Sequence, residues 1–397
     1  MSLTKPTKIE INKTLVVLTV IIIAMAGLLP SLFAVELPVT KDLSEEFTKD
    51  VLKISPVLSV TVYDSDGNLK STIIKEDDLV VNNFRNWLLA LFTTGTPVTA
   101  SLTNDANTAK TVNVRASSYL NSWQDSATGT ALKGGFAGIG NGTTAAARTD
   151  YGLESKLESY STPVSGFPSY STSTGIITMS FSFSITDSYN ITEAVFGCHW
   201  IASDASNNDF ILFHDVFSAV SVINGDTLIL GYTLTLTETG FTNNFGAMLN
   251  AVFSKISDGS EKTVSMNAEA SASVYTFIVY TSRSDDYHMG FVVNYPSAAN
   301  GIRIGTSSTA TARTQFGCST AVESMTSVGT PIAGTGTLVI QADIICVSAR
   351  EITEAAFFLG SDEYLGNSKQ SMMWRAVFAG VSVSAGKAIR ITFTLTL

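Results

Sequence analysis

Hydrophobic and polar residues alternate strictly from Ile177 to Ile185. A period of two puts every second side chain on one face, which predicts a β-strand with one buried side. The same alternation places Leu338, Ile340, Ala342, Ile344 and Cys346 on one face further along. Strands are also predicted around Phe210–Phe217 and Ser371–Phe378, with Ile211 and Met372, Phe213 and Trp374, and Phe217 and Phe378 on the inner face. Two more are predicted at Thr227–Leu236 and Ala388–Leu397. Ser59–Tyr63, the turn-rich Asp64–Asn68 and Lys70–Lys75 read as a hairpin. The period changes at Phe84, Trp87, Leu88, Leu91 and Phe92, which fall at i, i+3, i+4, i+7 and i+8. That spacing predicts an amphipathic helix, with the preceding asparagines as caps and its apolar face against a sheet.

These patterns occur twice. Ile191-Thr192-Glu193-Ala194-Val195-Phe196 returns as Ile352-Thr353-Glu354-Ala355-Ala356-Phe357, 161 residues on. The helix returns at the same offset as Asn243-Asn244-Phe245 followed by Met248, Leu249, Val252 and Phe253, and the closing strand returns with Leu236 matched to Leu397. A Gly-rich stretch, Gly138–Thr144 with Arg148-Thr149-Asp150-Tyr151 after it, matches Ile304–Thr309 and Arg313-Thr314-Gln315-Phe316 at an offset of 165. Internal repetition of this kind points to a duplicated structural unit. The expected organisation is a leader over 1–34, an acidic linker or donor strand over 35–58, and two copies of a mainly β unit over 59–236 and 237–397. Many antiparallel strands, Gly/Asn/Asp turns and one short helix per copy predict two tandem jelly-roll-like β-sandwich domains.

Composition adds where the chain belongs. Only 15% of residues are charged, and the net charge is −10. Residues 1–34 hold Lys5, Lys8, Lys13 and Glu10, net +2, so the remainder carries −12. An acidic exterior excludes nucleic acid as the expected partner. Thr14–Ala34 is a run of 21 residues without a charge, after three lysines. It fits a cleaved secretory signal ending near Ala34, and it fits a retained membrane anchor over 14–34. Both readings export the remainder of the chain. Asn141 and Asn190 then stand in Asn-x-Thr glycosylation sequons.

Candidate chemistry is sparse. Gly138-Ile139-Gly140-Asn141-Gly142 lacks the Lys-Ser/Thr of a phosphate loop, and copy two lacks two of its glycines, so a strand and tight turn are expected there. Cys198, Cys318 and Cys346 match Leu359, Leu153 and Ile185, which reads as buried thiols acting as small hydrophobes; export permits a disulfide, with no pairing fixed. His214 matches Arg375 and falls opposite the apolar face, where a solvated residue is expected; His199 matches Gly360. Asp285, Asp286 and His288, in a loop peculiar to copy two, are weak cation candidates. Glu193 and Glu354 occupy matched positions, one acid per copy, where a glycosidase needs two facing carboxylates; bonding to backbone groups is expected of them. No nucleophile–base pair, metal-ligand spacing or cofactor motif is recognisable, and no enzyme activity is expected.

The order of motifs carries a resemblance. An Asn83-Phe84 helix with Trp87-Leu88 is followed by Ile139-Gly140 and Gly142-Thr143-Thr144, then by Asp150-Tyr151 and Leu153-Glu154. An alternating strand, the Ile-Thr-Glu motif and a Tyr/Phe-Thr-Leu-Thr-Leu finish complete it. This resembles a module of virion and tail structural proteins of phages and archaeal viruses, and of some prokaryotic surface proteins, over about residues 82–397. The resemblance implies a structural, multimer-forming role. The hydrophobic leader departs from cytoplasmically assembled tail components and favours a membrane-containing virus or a cell-surface assembly. The expectation is therefore a self-associating subunit of a virion or surface assembly of spike, turret or filament type. Adhesion to a host glycan or receptor through loops such as Asn104–Lys110 or Ser282–Tyr287 is the alternative, and an extracellular hydrolase a third.

Overall fold

Two eleven-residue helices, α1 (Asn82–Phe92) and α2 (Asn243–Phe253), occupy the stretches whose spacing predicts them. The asparagines, however, do not cap them. Val81 and Thr242 hold the N-cap positions, and neither makes a side-chain cap bond. Asn83 instead reaches across the fold: its Nδ2 donates to the carbonyls of Thr103 (2.8 Å) and Ile211 (3.1 Å), and its Oδ1 accepts from the Thr103 amide (2.8 Å). Its repeat twin Asn244 donates to the Met372 carbonyl at 3.2 Å. The Asn-Asn-Phe motif thus pins each helix to a strand of its own repeat.

The computed structural model describes residues 43–397 apart from 77–78, 94–97, 116–134, 159–160, 162, 202–206, 238–239, 255–261, 268–273, 281–289, 292–299, 316, 319, 325, 329–330 and 363–367. The leader, the stretch 35–42, the candidates Asp285, Asp286 and His288, and loop Ser282–Tyr287 lie outside the described residues. The chain is mainly β. Before α1 come β1 (Leu43–Tyr63), β2 (Leu69–Glu76) and β3 (Leu79–Val80). Between the helices lie β4 (Val98–Thr103), β5 (Ala109–Arg115), β6 (Gly135–Gly140), β7 (Ser169–Ser171), β8 (Ile176–Ser184), β9 (Tyr189–Ile201), β10 (Asn207–Val222) and β11 (Thr227–Thr237). After α2 come β12 (Lys262–Asn267), β13 (Val274–Tyr280), β14 (Gly290–Phe291), β15 (Gly301–Gly305), β16 (Thr326–Ser327), β17 (Ile332–Gly334), β18 (Thr337–Ile345), β19 (Arg350–Asp362), β20 (Ser368–Val383) and β21 (Ala388–Thr396). Among the described residues no helix is long and apolar enough to cross a membrane.

Leu43–Leu397 forms one compact unit, and strands of both repeats share one sheet in the order β17-β18-β21-β1-β11-β8-β7, with β2 attached to β1. Alternation in a sequence fixes which face of a strand is buried, but it does not name the strand's neighbour. The expected boundary at residue 236 therefore falls inside β11, and the expected start at residue 59 falls inside β1. The order is palindromic in repeat terms: β7, β8 and β11 on one side answer β17, β18 and β21 on the other. β1 runs antiparallel to β11 and parallel to β21, so the two closing strands point in opposite directions. That is the arrangement of a two-fold axis through β1, near Lys53, which pairs with both Thr237 and Thr396. Two smaller sheets, β3-β10-β9-β6 and β16-β15-β19-β20, belong to one repeat each.

Contacts between the repeats are reciprocal, as in an isologous dimer interface. Arg148 donates to the Leu397 carbonyl (3.0 Å), and its twin Arg313 donates to the Leu236 carbonyl (2.5 Å). Each guanidinium lies against a glycine of the other repeat, Gly336 (φ +67°) or Gly175 (φ +72°), where a Cβ would stand 2.5 or 2.2 Å from guanidinium atoms. The left-handed turn and the passage of the arginine both demand glycine there. α1 lies against β17 and β18 of repeat two, while α2 lies against β7 and β8 of repeat one. Phe92 meets Phe357 edge-on (5.4 Å, 83°), and Phe253 meets Phe196, the twin of Phe357, in the same way (5.2 Å, 85°). One continuous core of both repeats results.

The face predictions hold for β8 and β18, whose inner residues are buried alternately. In β10 and β20 they need a correction. Phe213 and Trp374 lie in the main core, but Ile211 and Met372 belong to two small clusters on the outer faces. A bulge explains this: the β9–β10 register shifts between Ile211 and Phe213, and an extra residue moves the preceding stretch to the other face. Cys198 and Cys346 are buried in the main core, and Cys318 is half-buried; all three are free thiols.

Candidate functional site

β9 carries Glu193 on its outer face, the side of Val195 and Ile211 and away from the main core. Segment 141–155 crosses over it. Glu193 is wholly buried and accepts from the backbone amides of Gly142 (2.8 Å), Ser155 (2.8 Å) and Glu154 (3.0 Å). The backbone-bonding role expected of this acid is thus present, with a cation added. His214, beside Val195 on β10, places Nε2 3.2 Å from Glu193 Oε2 and Nδ1 2.6 Å from Asp150 Oδ2. His214 does lie opposite the main core. It is nonetheless only 4% exposed, because the Gly-rich segment covers it. The expectation of a solvated histidine is corrected: the apolar period reveals the core face and is silent about a loop folded over the other.

Repeat two builds the same clasp with other residues. Glu354 accepts from the Thr320 amide (3.0 Å) and the Ser307 amide (3.4 Å), and Arg375 grips it through Nε (2.7 Å) and Nη2 (2.5 Å). Gln315 stands where Asp150 stands, and its Oε1 accepts from Arg375 Nη1 at 2.9 Å. The glycines of the signature follow from this geometry. A Cβ on Gly140 would sit 2.3 Å from Glu193 Oε1, one on Gly305 2.2 Å from Glu354 Oε1, and one on Gly142 2.6 Å from Glu193 Oε1. Repeat two has Ser307 in place of Gly142, and there the amide-to-carboxylate bond is longer, at 3.4 Å. Sequence reasoning missed the set Glu193–His214–Asp150; the signal was three polar residues matched one for one with Glu354, Arg375 and Gln315.

The charge state follows from the contacts. Burial alone would lower the pKa of His214, but hydrogen bonds to Glu193 and Asp150 and their charges outweigh it and raise it above 6.5. Burial alone would raise that of Glu193, but bonds from His214 and from the Ser155, Glu154 and Gly142 amides hold it below 4.5. Both ring nitrogens face carboxylates, an arrangement that favours the imidazolium form, which donates on both sides. A cavity of about 320 Å³ opens beside it, lined by Thr144, Tyr151, Leu153 and Glu154 among others. The Thr144 hydroxyl donates to Glu154 Oε1 (2.8 Å), and Glu154 Oε2 accepts the Thr143 and Thr144 amides, which keeps its carboxyl ionised to lower pH. Thr144 and Glu154 are thus bonded to one another in the cavity wall.

The pH dependence of stability has a definite sign. A raised histidine pKa contributes stability that is complete below 6.5 and lost as pH rises through the folded value. The lowered Glu193 pKa contributes stability that is lost as pH falls through its folded value, below 4.5. His214→Arg installs the residue of repeat two, which does not titrate. Denaturant midpoints across about pH 5 to 9 should fall on the alkaline side for the wild type and stay flatter there for His214→Arg. Equal alkaline slopes would show that this histidine does not carry the effect.

The other candidates disperse. His199 pairs with Asp209 across β9 and β10, on the same two strands as Glu193 and His214 but toward the β9–β10 connection. Asp105 lies near them, its carboxyl raised by burial and by the Asp209 charge. Asn141 and Asn190 are exposed, and the Asn190 Oδ1 accepts from Ser221 (2.7 Å). Among the described residues no group of three His, Cys, Asp or Glu is arranged to hold a metal ion. Compared with known proteins, the chain matches no family model, no curated protein and no solved structure.

Proposed function

We propose that the chain is a non-enzymatic, self-associating structural subunit of an exported assembly, of the virion or cell-surface kind, with each repeat a jelly-roll-like β-sandwich. The observation that carries this is the twinned clasp. The described histidine–carboxylate constellation beside a cavity, His214 with Glu193 and Asp150, is a variant of an Arg–Glu–Gln brace, and in both repeats the glutamate is spent on backbone amides. The reciprocal interlock joins the two repeats into one compact block with a shared core, which suits a building unit better than two beads on a string. The uncharged run 14–34 would export the block and, if retained, tether it to a membrane. Electron microscopy and native mass measurement on the purified full-length chain test this reading. Regular rings, shells or filaments support it, and a monomer at high concentration overturns it.

A second reading, attachment to a host glycan or receptor, is favoured by one feature. The β4–β5 turn over 106–108 is exposed yet braced, with Asn104 accepting the Thr108 amide (2.8 Å) and donating to Asn208 (2.7 Å). A glycan array without hits beside robust self-assembly would count against it.

A further inference from the structure

β1 is longer than repeat one requires. Its second half, Lys53–Tyr63, pairs with β11 over eleven residues without a shift, and Val57–Tyr63 also pairs with β2. Its first half, Leu43–Lys53, pairs with β21 of repeat two. The duplication explains the need. In repeat one, β11 takes its neighbour from the segment just upstream of the repeat. The segment 161 residues beyond Lys53–Tyr63 is His214–Asn224, which is already committed to β10 and the turn after it. Among the described residues, repeat two therefore has no first strand of its own, and the edge of β21 over Ala388–Thr396 is filled from elsewhere. An open edge of that length is a template for another strand.

The two halves of β1 differ in how firmly they are held. Leu43–Lys53 carries Glu45, Glu46, Lys49, Asp50 and Lys53, whereas Ile54–Tyr63 carries no charge. The first half pairs in parallel, the slightly weaker arrangement, and its register shifts twice, at Leu43/Glu45 and Asp50/Leu52. Lys53 is the single joint between the halves.

We propose that Leu43–Leu52 is an exchangeable donor strand: in the assembled protein it fills the β21 edge of a second copy of this chain, while Lys53–Tyr63 stays in its own sheet. This rests on the self-association reading and names its partner surface. The same ladder forms in either chain, so exchange costs little and is driven by concentration. Reciprocal exchange closes a dimer; one-way exchange grows a chain.

Register partners give the test. Thr48 lies opposite Thr392, Asp50 opposite Thr394, and Thr61 opposite Ile229. In a full-length Cys318→Ala background, Thr48→Cys and Thr392→Cys chains are made separately, refolded together at several concentrations, oxidised and run on non-reducing denaturing gels. Asp50→Cys with Thr394→Cys serves as an independent pair if the first does not fold. A covalent species joining one chain of each kind, rising with concentration, is expected. The Thr61→Cys/Ile229→Cys double variant should close only within one chain. Multimers by native mass in which a Thr48→Cys/Thr392→Cys double variant closes only internally would overturn the exchange and leave the assembly reading standing. A monomer at every concentration would overturn both.

Discussion

Glu354→Ala lowers the free energy of unfolding by about 3–5 kcal/mol, the usual cost of leaving one partner of a buried ion pair behind. The guanidinium of Arg375 is 2% exposed and cannot discard its proton. Without Glu354 it stays charged in a site built for a pair, and the Thr320 amide loses its acceptor. Glu193→Ala is the instructive contrast. There the cation is His214, which keeps Asp150 as a partner and, unlike a guanidinium, can also shed its proton, and so escapes most of the desolvation cost. The remaining loss is that of bonds from buried amides, about 1–3 kcal/mol. Chemical denaturation at constant slope should rank Glu354→Ala well below Glu193→Ala in midpoint. Equal losses would mean that the clasps do not differ by the titratability of their cation.

Phe92→Ala and Phe253→Ala should each cost about 3–5 kcal/mol, the range for truncating a buried aromatic ring. Both side chains are fully buried, and each belongs to a helix of one repeat while packing on the sheet of the other. Either change should therefore move a single unfolding transition of the whole unit, seen alike by calorimetry and by the fluorescence of the four tryptophans, among them Trp87 of repeat one and Trp374 of repeat two. Two transitions, of which each variant moves only one, would show that the repeats unfold independently.

Much of this was legible in the sequence, and the rest was hidden for identifiable reasons. Helices at Phe84 and Phe245, the strict strand at Ile177, the hairpin turn at Asp64 and the duplication all follow from local periodicity or self-similarity. The turn shows why: Asp64 Oδ1 accepts the Asp66 and Asn68 amides (3.0 and 2.8 Å), a bond pattern contained within five residues. Non-local facts were not legible. Nothing near Leu43 announces that it will lie beside Ala388, because pairing partners leave no local mark when the strand is charged and irregular. The bulge that turns Ile211 outward is a single-residue event that periodicity reads straight through. Of the clasp, the carboxylates were visible as twins, but the burial of His214 depended on a loop whose glycines were read for their turn and not for the carboxylate they let approach.

The reciprocal interlock also governs when the protein can fold. The bond from Arg148 to Leu397 closes a loop of 249 residues, and β1 waits for β21 over a still longer span. During synthesis repeat one is therefore translated in full while the surfaces of β7 and β8 that receive α2, and the edge of β1 that receives β21, have no partner. Contacts of such sequence separation are slow to form, and unpaired edges meanwhile invite association with other chains. Assembly of the native unit waits for β21, and the interval before it emerges is when a chaperone, or a second copy of the chain, has access to those edges.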